Sequence, residues 1–144
     1  MSPPICVKDV MSTKVRTVPP VATIRQAART MTKAGIGSLV ILDGSRPVGM
    51  VTEGDISRAV ARGRSPSAPV PRQRKKLVTV EPGVRLEVAA RLMATAGVKK
   101  LPVMEGGRLV GMITQTDIVN SSFALVTSLK EMVRARYRPP DFEM

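Results

Sequence analysis

The chain has 144 residues, one cysteine, no histidine and a formal net charge of +12. A single cysteine excludes an internal disulfide, and the lack of histidine excludes His-dependent acid–base catalysis and the usual zinc sites. Cys6 has no histidine to activate it as a nucleophile, so we interpret it as a small apolar residue. The positive charge predicts attraction to phosphate in a nucleotide, a nucleic acid or an acidic partner.

The hydropathy of the chain argues against a membrane partner. No apolar run reaches the roughly 18–20 residues that a membrane-spanning helix needs. The N-terminus also lacks the apolar core of a signal peptide. We therefore predict a soluble protein in the cytoplasm.

The second half of the chain repeats the first at an offset of 62 residues. Residues 48–56 return as residues 110–118, and residues 24–56 match residues 86–118 at 15 of 33 positions. A unit of roughly 60 residues buries so little surface that it would be only marginally stable alone. We therefore predict two copies of one unit, folded against each other.

Each repeat has the pattern of five elements in the order β-α-β-β-α. These are a short alternating strand, an amphipathic helix ended by a glycine, two apolar strands joined by a tight turn, and a second helix. The first repeat places them at residues 15–18, from 24 to Gly35, at 38–42, at 47–51 and after Thr52. The second places them at residues 77–80, from 86 to Gly97, at 101–104, at 109–113 and after Thr114. The predicted fold class is α+β.

The chain is predicted to have three parts. Residues 1–62 hold the first repeat with an N-terminal lead-in, residues 63–76 form a basic, proline-rich linker, and residues 77–144 hold the second repeat with a helical extension. The apolar spacing of the extension predicts one long C-terminal helix that ends near Arg136. Its apolar side chains either cover the chain's own core or form a packing surface for a second chain.

A Thr-x-x-Asp pattern at the start of the last helix of each repeat is the sharpest polar feature. It occurs at Thr52–Asp55 and at Thr114–Asp117. One interpretation is a capping box, in which each side chain bonds a backbone N–H of the other residue. The other is a ligand site, because free N–H groups at a helix N-terminus suit phosphate and a carboxylate can accept two ribose hydroxyl protons. The spacing is compatible with both.

A resemblance to a known family rests on the second repeat and on the lead-in. Residues 97–103 read Gly-Val-x-x-Leu-Pro-Val, and residues 111–118 read Gly-Met-Ile-Thr-x-x-Asp-Ile. This pattern resembles the cystathionine β-synthase (CBS) domain motif, and residues 7–12 are similar to the lead-in of tandem CBS pairs. The resemblance covers about residues 7–119, although the first repeat has Val40 where the second has Pro102.

The resemblance implies a CBS pair, or Bateman module, which is a regulatory binding module rather than an enzyme. Such pairs pack two repeats with pseudo-twofold symmetry, bind adenosine-containing ligands in two clefts, and often dimerise into a flat disc. The implied ligands are AMP, ADP, ATP or S-adenosylmethionine. No metal and no catalytic residue is implied.

The ligand contacts of the family, carried over by position, define two clefts. The residues implied for the preferred cleft are Lys14, Arg16, Ile36, Gly37, Lys99, Lys100, Thr114, Thr116 and Asp117. Those implied for a second, weaker cleft are Ser38, Thr52, Gly54, Asp55, Lys76, Val78, Val98 and Lys99. The resemblance implies that each aspartate holds the ribose, while the threonine and the residue before the aspartate lie toward the phosphate.

Two lysines are expected to make the clefts unequal. Lys99 and Lys100 are predicted near the phosphate of the preferred cleft, whereas the equivalent residues of the second cleft are Gly37 and Ser38. Hydrogen bonds to charged groups contribute about 1.5–3 kcal/mol each when shielded. The affinities would then differ by tenfold or more. The alternative is that the two lysines form an exposed basic pair without a ligand.

The residue after each threonine also favours ligand binding in the preferred cleft. The second cleft carries Glu53, which repels phosphate, where the preferred cleft has the neutral Gln115. We therefore predict that the Asp117 cleft is the occupied one. AMP and ATP rank ahead of S-adenosylmethionine, which has no phosphate for the lysines to contact.

Nucleic acid is the alternative partner, through the basic linker. The basic residues concerned are Arg58, Arg62, Arg64, Arg72, Arg74, Lys75 and Lys76, with Arg134, Arg136 and Arg138 near the C-terminus. Their contacts with backbone phosphates would be sequence-independent and salt-dependent. However, aromatic side chains for base stacking are nearly absent. The other interpretation of the linker is a solvated loop.

An enzyme is the least favoured class of function. The sequence has no Gly-x-x-x-x-Gly-Lys-[Ser/Thr] loop and no acidic cluster suited to Mg²⁺. It also contains no effector domain. The output of a regulatory module is therefore expected to pass through a homodimer or through an effector protein.

Overall fold

The computed structural model of the chain describes residues 5–71 and 76–121, which form two similar α+β units. A short helix, α1 (Val7–Val10), comes before both. The first unit contains β1 (Thr17–Val18), α2 (Ile24–Ala34), β2 (Ser38–Asp43), β3 (Arg46–Thr52) and α3 (Glu53–Ala61). The second contains α4 (Leu86–Ala96), β4 (Lys100–Glu105), β5 (Arg108–Thr114) and a helical stretch over residues 115–121, here called α5. The predicted pair of α+β repeats is confirmed.

The first long helix of each repeat ends where the sequence predicts. Gly35 follows α2 with φ 66°, and Gly97 follows α4 with φ 68°. Both lie in the left-handed region, which a residue with a side chain adopts only at a cost. Thr23 is the N-cap of α2. Its Oγ1 accepts the Gln26 N–H at 3.1 Å, and the Gln26 side chain accepts the Thr23 N–H at 2.9 Å.

The sheets differ between the repeats. In the first, β1 runs parallel to β2, and β2 pairs antiparallel with β3. In the second, β4 and β5 form the equivalent hairpin with a matching register from Lys100↔Thr114 to Glu105↔Arg108. The strand predicted at residues 77–80 is reduced to an isolated parallel bridge between Val80 and Val103.

Pro102 explains why the opening strand of the second repeat is shortened. In the first repeat the Val40 N–H donates to the Arg16 carbonyl at 3.2 Å. The equivalent of Val40 is Pro102, which has no N–H to offer the carbonyl of Val78. The second repeat therefore keeps only the two hydrogen bonds around Val80, and its opening segment stays outside the sheet.

The core of each repeat is completed by a residue from outside that repeat, in the lead-in or in the linker. Val7, in the lead-in, is fully buried in the core of the second repeat, and its N–H donates to the Val84 carbonyl at 2.9 Å. Val70, in the linker, is buried in the core of the first repeat, and its N–H donates to the Ala22 carbonyl at 2.9 Å. The lead-in thus packs on the second repeat, although the sequence groups it with the first. The boundaries at residues 62 and 76 stay predictions.

Several predictions concern residues outside the described ranges. These are the C-terminal helix beyond residue 121 with Phe123, Val126 and Met132, the distal basic group at Arg134, Arg136 and Arg138, and the linker cations Arg72, Arg74 and Lys75.

Gly111 lies where the lead-in crosses β5. Ser12 and Met112 exchange two backbone hydrogen bonds of 2.9 Å there. A Cβ on Gly111 would stand 2.8 Å from the Ser12 carbonyl oxygen and 2.6 Å from the Met11 sulfur. The equivalent glycine of the first repeat, Gly49, has only the end of Ile41 nearby, at 3.8 Å.

Gly111→Ala is therefore expected to destabilise the protein, by about 1–3 kcal/mol, as overpacking does. Gly49→Ala is the matched control, since an alanine there meets ordinary van der Waals contact. Both substitutions change the entropy of the unfolded chain in the same way, so the difference between them reports the clash. Urea denaturation measures the free energy of unfolding of both variants. Equal stabilities would contradict the close approach of the lead-in to Gly111.

Candidate functional site

Thr52 and Asp55 form a capping box at the start of α3. The Thr52 N–H donates to Asp55 Oδ2 at 2.8 Å, and the Asp55 N–H donates to Thr52 Oγ1 at 3.2 Å. The second carboxylate oxygen, Oδ1, accepts from Arg58 Nη2 at 2.7 Å. Both oxygens of Asp55 are therefore engaged within the first repeat.

Thr114 and Asp117 form the same box at the start of α5. The Thr114 N–H donates to Asp117 Oδ2 at 2.9 Å, and the Asp117 N–H donates to Thr114 Oγ1 at 3.1 Å. Within residues 5–71 and 76–121, no donor reaches Asp117 Oδ1. The structural interpretation of Thr-x-x-Asp is confirmed in both repeats. In the second repeat, the box and the other described residues leave Asp117 Oδ1 without a hydrogen bond.

The residue two positions after each helix-ending glycine is hydrogen-bonded to the start of the last helix of its repeat. The Gln115 N–H donates to the Lys99 carbonyl at 2.8 Å, and the Glu53 N–H donates to the Gly37 carbonyl at 3.0 Å. Lys99, with an exposed side chain, thus lies beside the helix that carries Asp117. Gly37 is bonded to the helix of Asp55, and its place in the Asp117 cleft stays a prediction.

Lys100 and Ser38 meet between the repeats. The half-buried ammonium of Lys100 donates to Ser38 Oγ at 2.8 Å, and the two residues are 62 positions apart. They are therefore equivalent residues of the two repeats. Equivalent residues can touch only near the pseudo-twofold axis, so the Lys100 ammonium lies at the boundary of the two predicted clefts rather than deep in one.

The remaining predicted residues differ in whether they pack on a core or are exposed. Ile36 packs against the core of the first repeat, and Val78 and Val98 pack against that of the second. Lys14, Arg16, Lys76 and Thr116 are exposed, while Gly54 is half-buried.

Two cavities lie near these residues in the described part of the chain. One, of about 380 Å³, lies between α4 and α5, and its wall includes Lys99 and Gln115 but no residue of the first repeat. The other, of about 280 Å³, lies between the repeats, beside Thr13, Val15, Thr17 and Arg108. Side chains alternate along an extended segment, so Lys14 and Arg16 face away from the second cavity. Neither cavity unites the full set of residues predicted for one cleft.

The contact of Arg58 with Asp55 was missed in the sequence, where Arg58 was grouped with the basic linker. The spacing carried the signal, because residues three apart on a helix face each other and opposite charges pair. In the described residues, no group of three or more His, Cys, Asp or Glu side chains is placed to hold a metal ion.

Comparison with known proteins identifies the family. The CBS domain model matches residues 7–62 and 73–123, so the chain belongs to the CBS domain family and carries two CBS domains. CBS domain pairs are ligand-binding regulatory modules.

Individual proteins agree with this assignment. The chain is 36% identical over 114 residues to the CBS domain-containing protein YhcV of Bacillus subtilis, which covers 78% of this chain and 81% of that protein. The CBS-domain containing protein ATU1752 of Agrobacterium tumefaciens superposes with a TM-score of 0.73 at 28% identity, covering 82% of this chain and 99% of that one. The CBS domain pair of protein MJ0100, solved with 5′-methylthioadenosine and S-adenosyl-L-methionine, gives a TM-score of 0.74 at 26% identity over 85% and 99% of the two chains.

No helix in the described part of the chain has both the length and the apolar character needed to cross a membrane.

Proposed function

We propose that this CBS pair binds an adenine nucleotide, AMP, ADP or ATP, in the Asp117 cleft and acts as a regulatory module without catalysing a reaction. The observation that carries the proposal is the second oxygen of Asp117, which no described residue bonds. The cytoplasmic location predicted from the sequence is part of the same proposal.

The geometry at Asp117 suits a ribose. The capping box fixes the carboxylate through Oδ2, so the orientation of Oδ1 is set before any ligand arrives. A carboxylate only accepts hydrogen bonds, and ribose offers two neighbouring hydroxyl donors. MJ0100 supports the adenosine class of ligand, since both molecules in its complex contain adenosine.

The charges near Asp117 suit a phosphate. Lys99 is exposed beside the start of α5, and the residue between Thr114 and Thr116 is the neutral Gln115. The N-terminus of a helix adds a partial positive charge. These features favour a nucleotide over an uncharged nucleoside or S-adenosylmethionine.

AMP is accordingly expected to bind more tightly than adenosine, and Lys99→Ala is expected to reduce that difference. An exposed charge pair contributes up to about 1 kcal/mol, which corresponds to a loss of AMP affinity of about fivefold. Adenosine binding should not change. Lys33→Ala, an exposed lysine on the last turn of α2, is the control for net charge.

Isothermal titration calorimetry measures the affinities of the wild type, Lys99→Ala and Lys33→Ala for AMP and for adenosine. Equal losses for AMP and adenosine in Lys99→Ala would show that Lys99 does not face the phosphate. Absence of binding by every adenine ligand would overturn the proposed function.

We propose that the regulatory output passes through a homodimer or an effector protein. Val119 is 58% exposed and lines the cavity between α4 and α5, and Val88, on α4, is 48% exposed. Exposed apolar side chains such as these are candidates for contact with another chain. Nucleic-acid binding stays a prediction, and one of its cations, Arg58, is engaged by Asp55.

A further inference from the structure

Arg58 and Asp55 form an ion pair in the cleft that the sequence ranks second. Arg58 Nη2 lies 2.7 Å from Asp55 Oδ1, and the Asp55 side chain is only 12% exposed. Asp55 Oδ2 already accepts the Thr52 N–H. Arg58 thus engages the second carboxylate oxygen of Asp55, whereas among the described residues no donor engages the equivalent oxygen of Asp117.

The local sequence makes room for this contact in one repeat only. A Cβ on Gly54 would lie 3.2 Å from Arg58 Nη1, so the guanidinium rests over the glycine at the start of α3. The equivalent residues in the second repeat are Thr116 for Gly54 and Asn120 for Arg58. Asparagine is too short and carries no charge, so residue 120 cannot make the equivalent ion pair with Asp117.

We propose that Arg58 is a specificity-determining residue that competes with the ligand's ribose for Asp55 and disfavours uncharged nucleosides in that cleft. The inference rests on the proposed function, because it assumes that the aspartates of this pair receive ribose. A ribose that enters the Asp55 cleft must displace the guanidinium from Oδ1.

The ligand's charge decides how costly that displacement is. Arginine binds phosphate through two parallel hydrogen bonds, and the N-terminus of α3 favours an anion at the same place. A nucleotide can therefore offer Arg58 a new partner when the ribose displaces it. Adenosine offers none, and it leaves the guanidinium with water alone. A cleft that carries this arginine should consequently discriminate between nucleotide and nucleoside more strongly than the same cleft without it.

The test transfers the arginine to the other repeat, where binding is expected to be tighter and easier to measure. The single variant Thr116→Gly is compared with the double variant Thr116→Gly/Asn120→Arg by calorimetric titration with adenosine and with AMP. The added arginine is expected to weaken adenosine binding about three- to fivefold, as one solvent-accessible ion pair can. AMP binding is expected to fall by less than twofold.

A companion measurement removes the arginine from its own cleft. In a chain whose Asp117 is replaced by asparagine, Arg58→Asn is expected to tighten adenosine binding at the Asp55 cleft by a similar factor. Arg58→Lys should give a smaller gain, because it keeps the charge without the fork of the guanidinium.

The outcomes separate the inference from the function on which it rests. If the wild-type chain binds neither adenosine nor AMP, both are overturned. If it binds them but the grafted arginine leaves adenosine affinity unchanged, or weakens AMP as much as adenosine, the role of Arg58 alone is overturned.

Discussion

Asp117→Asn is expected to weaken AMP binding at least tenfold, whereas Asp55→Asn is expected to leave it within about twofold. The asparagine oxygen can still accept the Thr114 N–H, so the capping box and the start of α5 are kept. The NH₂ group then replaces Oδ1 and turns an acceptor into a donor. Ribose hydroxyls lose a charged acceptor, and such hydrogen bonds contribute about 1.5–3 kcal/mol.

Asp55→Asn is a matched control because it makes the same chemical change in an equivalent capping box. Its Oδ1 is already bonded to Arg58 at 2.7 Å, so no available acceptor is lost. Calorimetric titration with AMP measures both variants, and thermal unfolding verifies that both are folded. Equal losses of affinity would contradict the inequality of the two clefts.

Val7→Asp is expected to destabilise the protein strongly. Val7 has no exposed surface and lies in the core of the second repeat, among Leu86, Met93 and Ile113. Burial of a polar group without a hydrogen-bond partner costs roughly 2–7 kcal/mol. This cost approaches the whole stability of a small protein, about 5–15 kcal/mol.

The control lies two residues away. Ile5 is 46% exposed, so Ile5→Asp can keep its carboxylate in water and should cost less than about 1 kcal/mol. Urea denaturation measures the stabilities of the two variants, and hydrogen exchange shows which strands lose protection. Loss of protection in β4 and β5 ahead of β2 and β3 is expected, because the lead-in packs on the second repeat. Similar stabilities of the two variants would show that the lead-in does not complete this core.

The repeat architecture could be predicted because its three signals lie in short stretches of sequence. Helical spacing, the glycines that end α2 and α4, and the hairpin turns recur at a fixed offset, and the structure places the helix starts and the hairpin strands within one or two residues of their predictions. The shortening of the opening strand in the second repeat could be predicted only in part. The sequence shows that Pro102 lacks an N–H. It does not show which carbonyl of the neighbouring strand that N–H would have bonded, because this depends on the register of the sheet.

Contacts between distant segments could not be predicted in this way. Periodicity reports which face of an element is buried and not what covers it, so the packing of Val7 on the second repeat and of Val70 on the first had no signal in the local pattern. The Lys100–Ser38 contact has the same origin, since it depends on how the repeats meet. Thr-x-x-Asp was predicted as a unit, but the difference between its two copies lies in a third residue, Arg58.

The central claim is that one adenine nucleotide is held by its ribose on Asp117. A crystal structure of the full chain grown with AMP tests it most directly. We predict one AMP per chain, with a ribose hydroxyl within hydrogen-bond distance of Asp117 Oδ1, and Arg58 still paired with Asp55. A nucleotide seated on Asp55 while the Asp117 cleft holds none, or one bound with its ribose away from both aspartates, would contradict the claim.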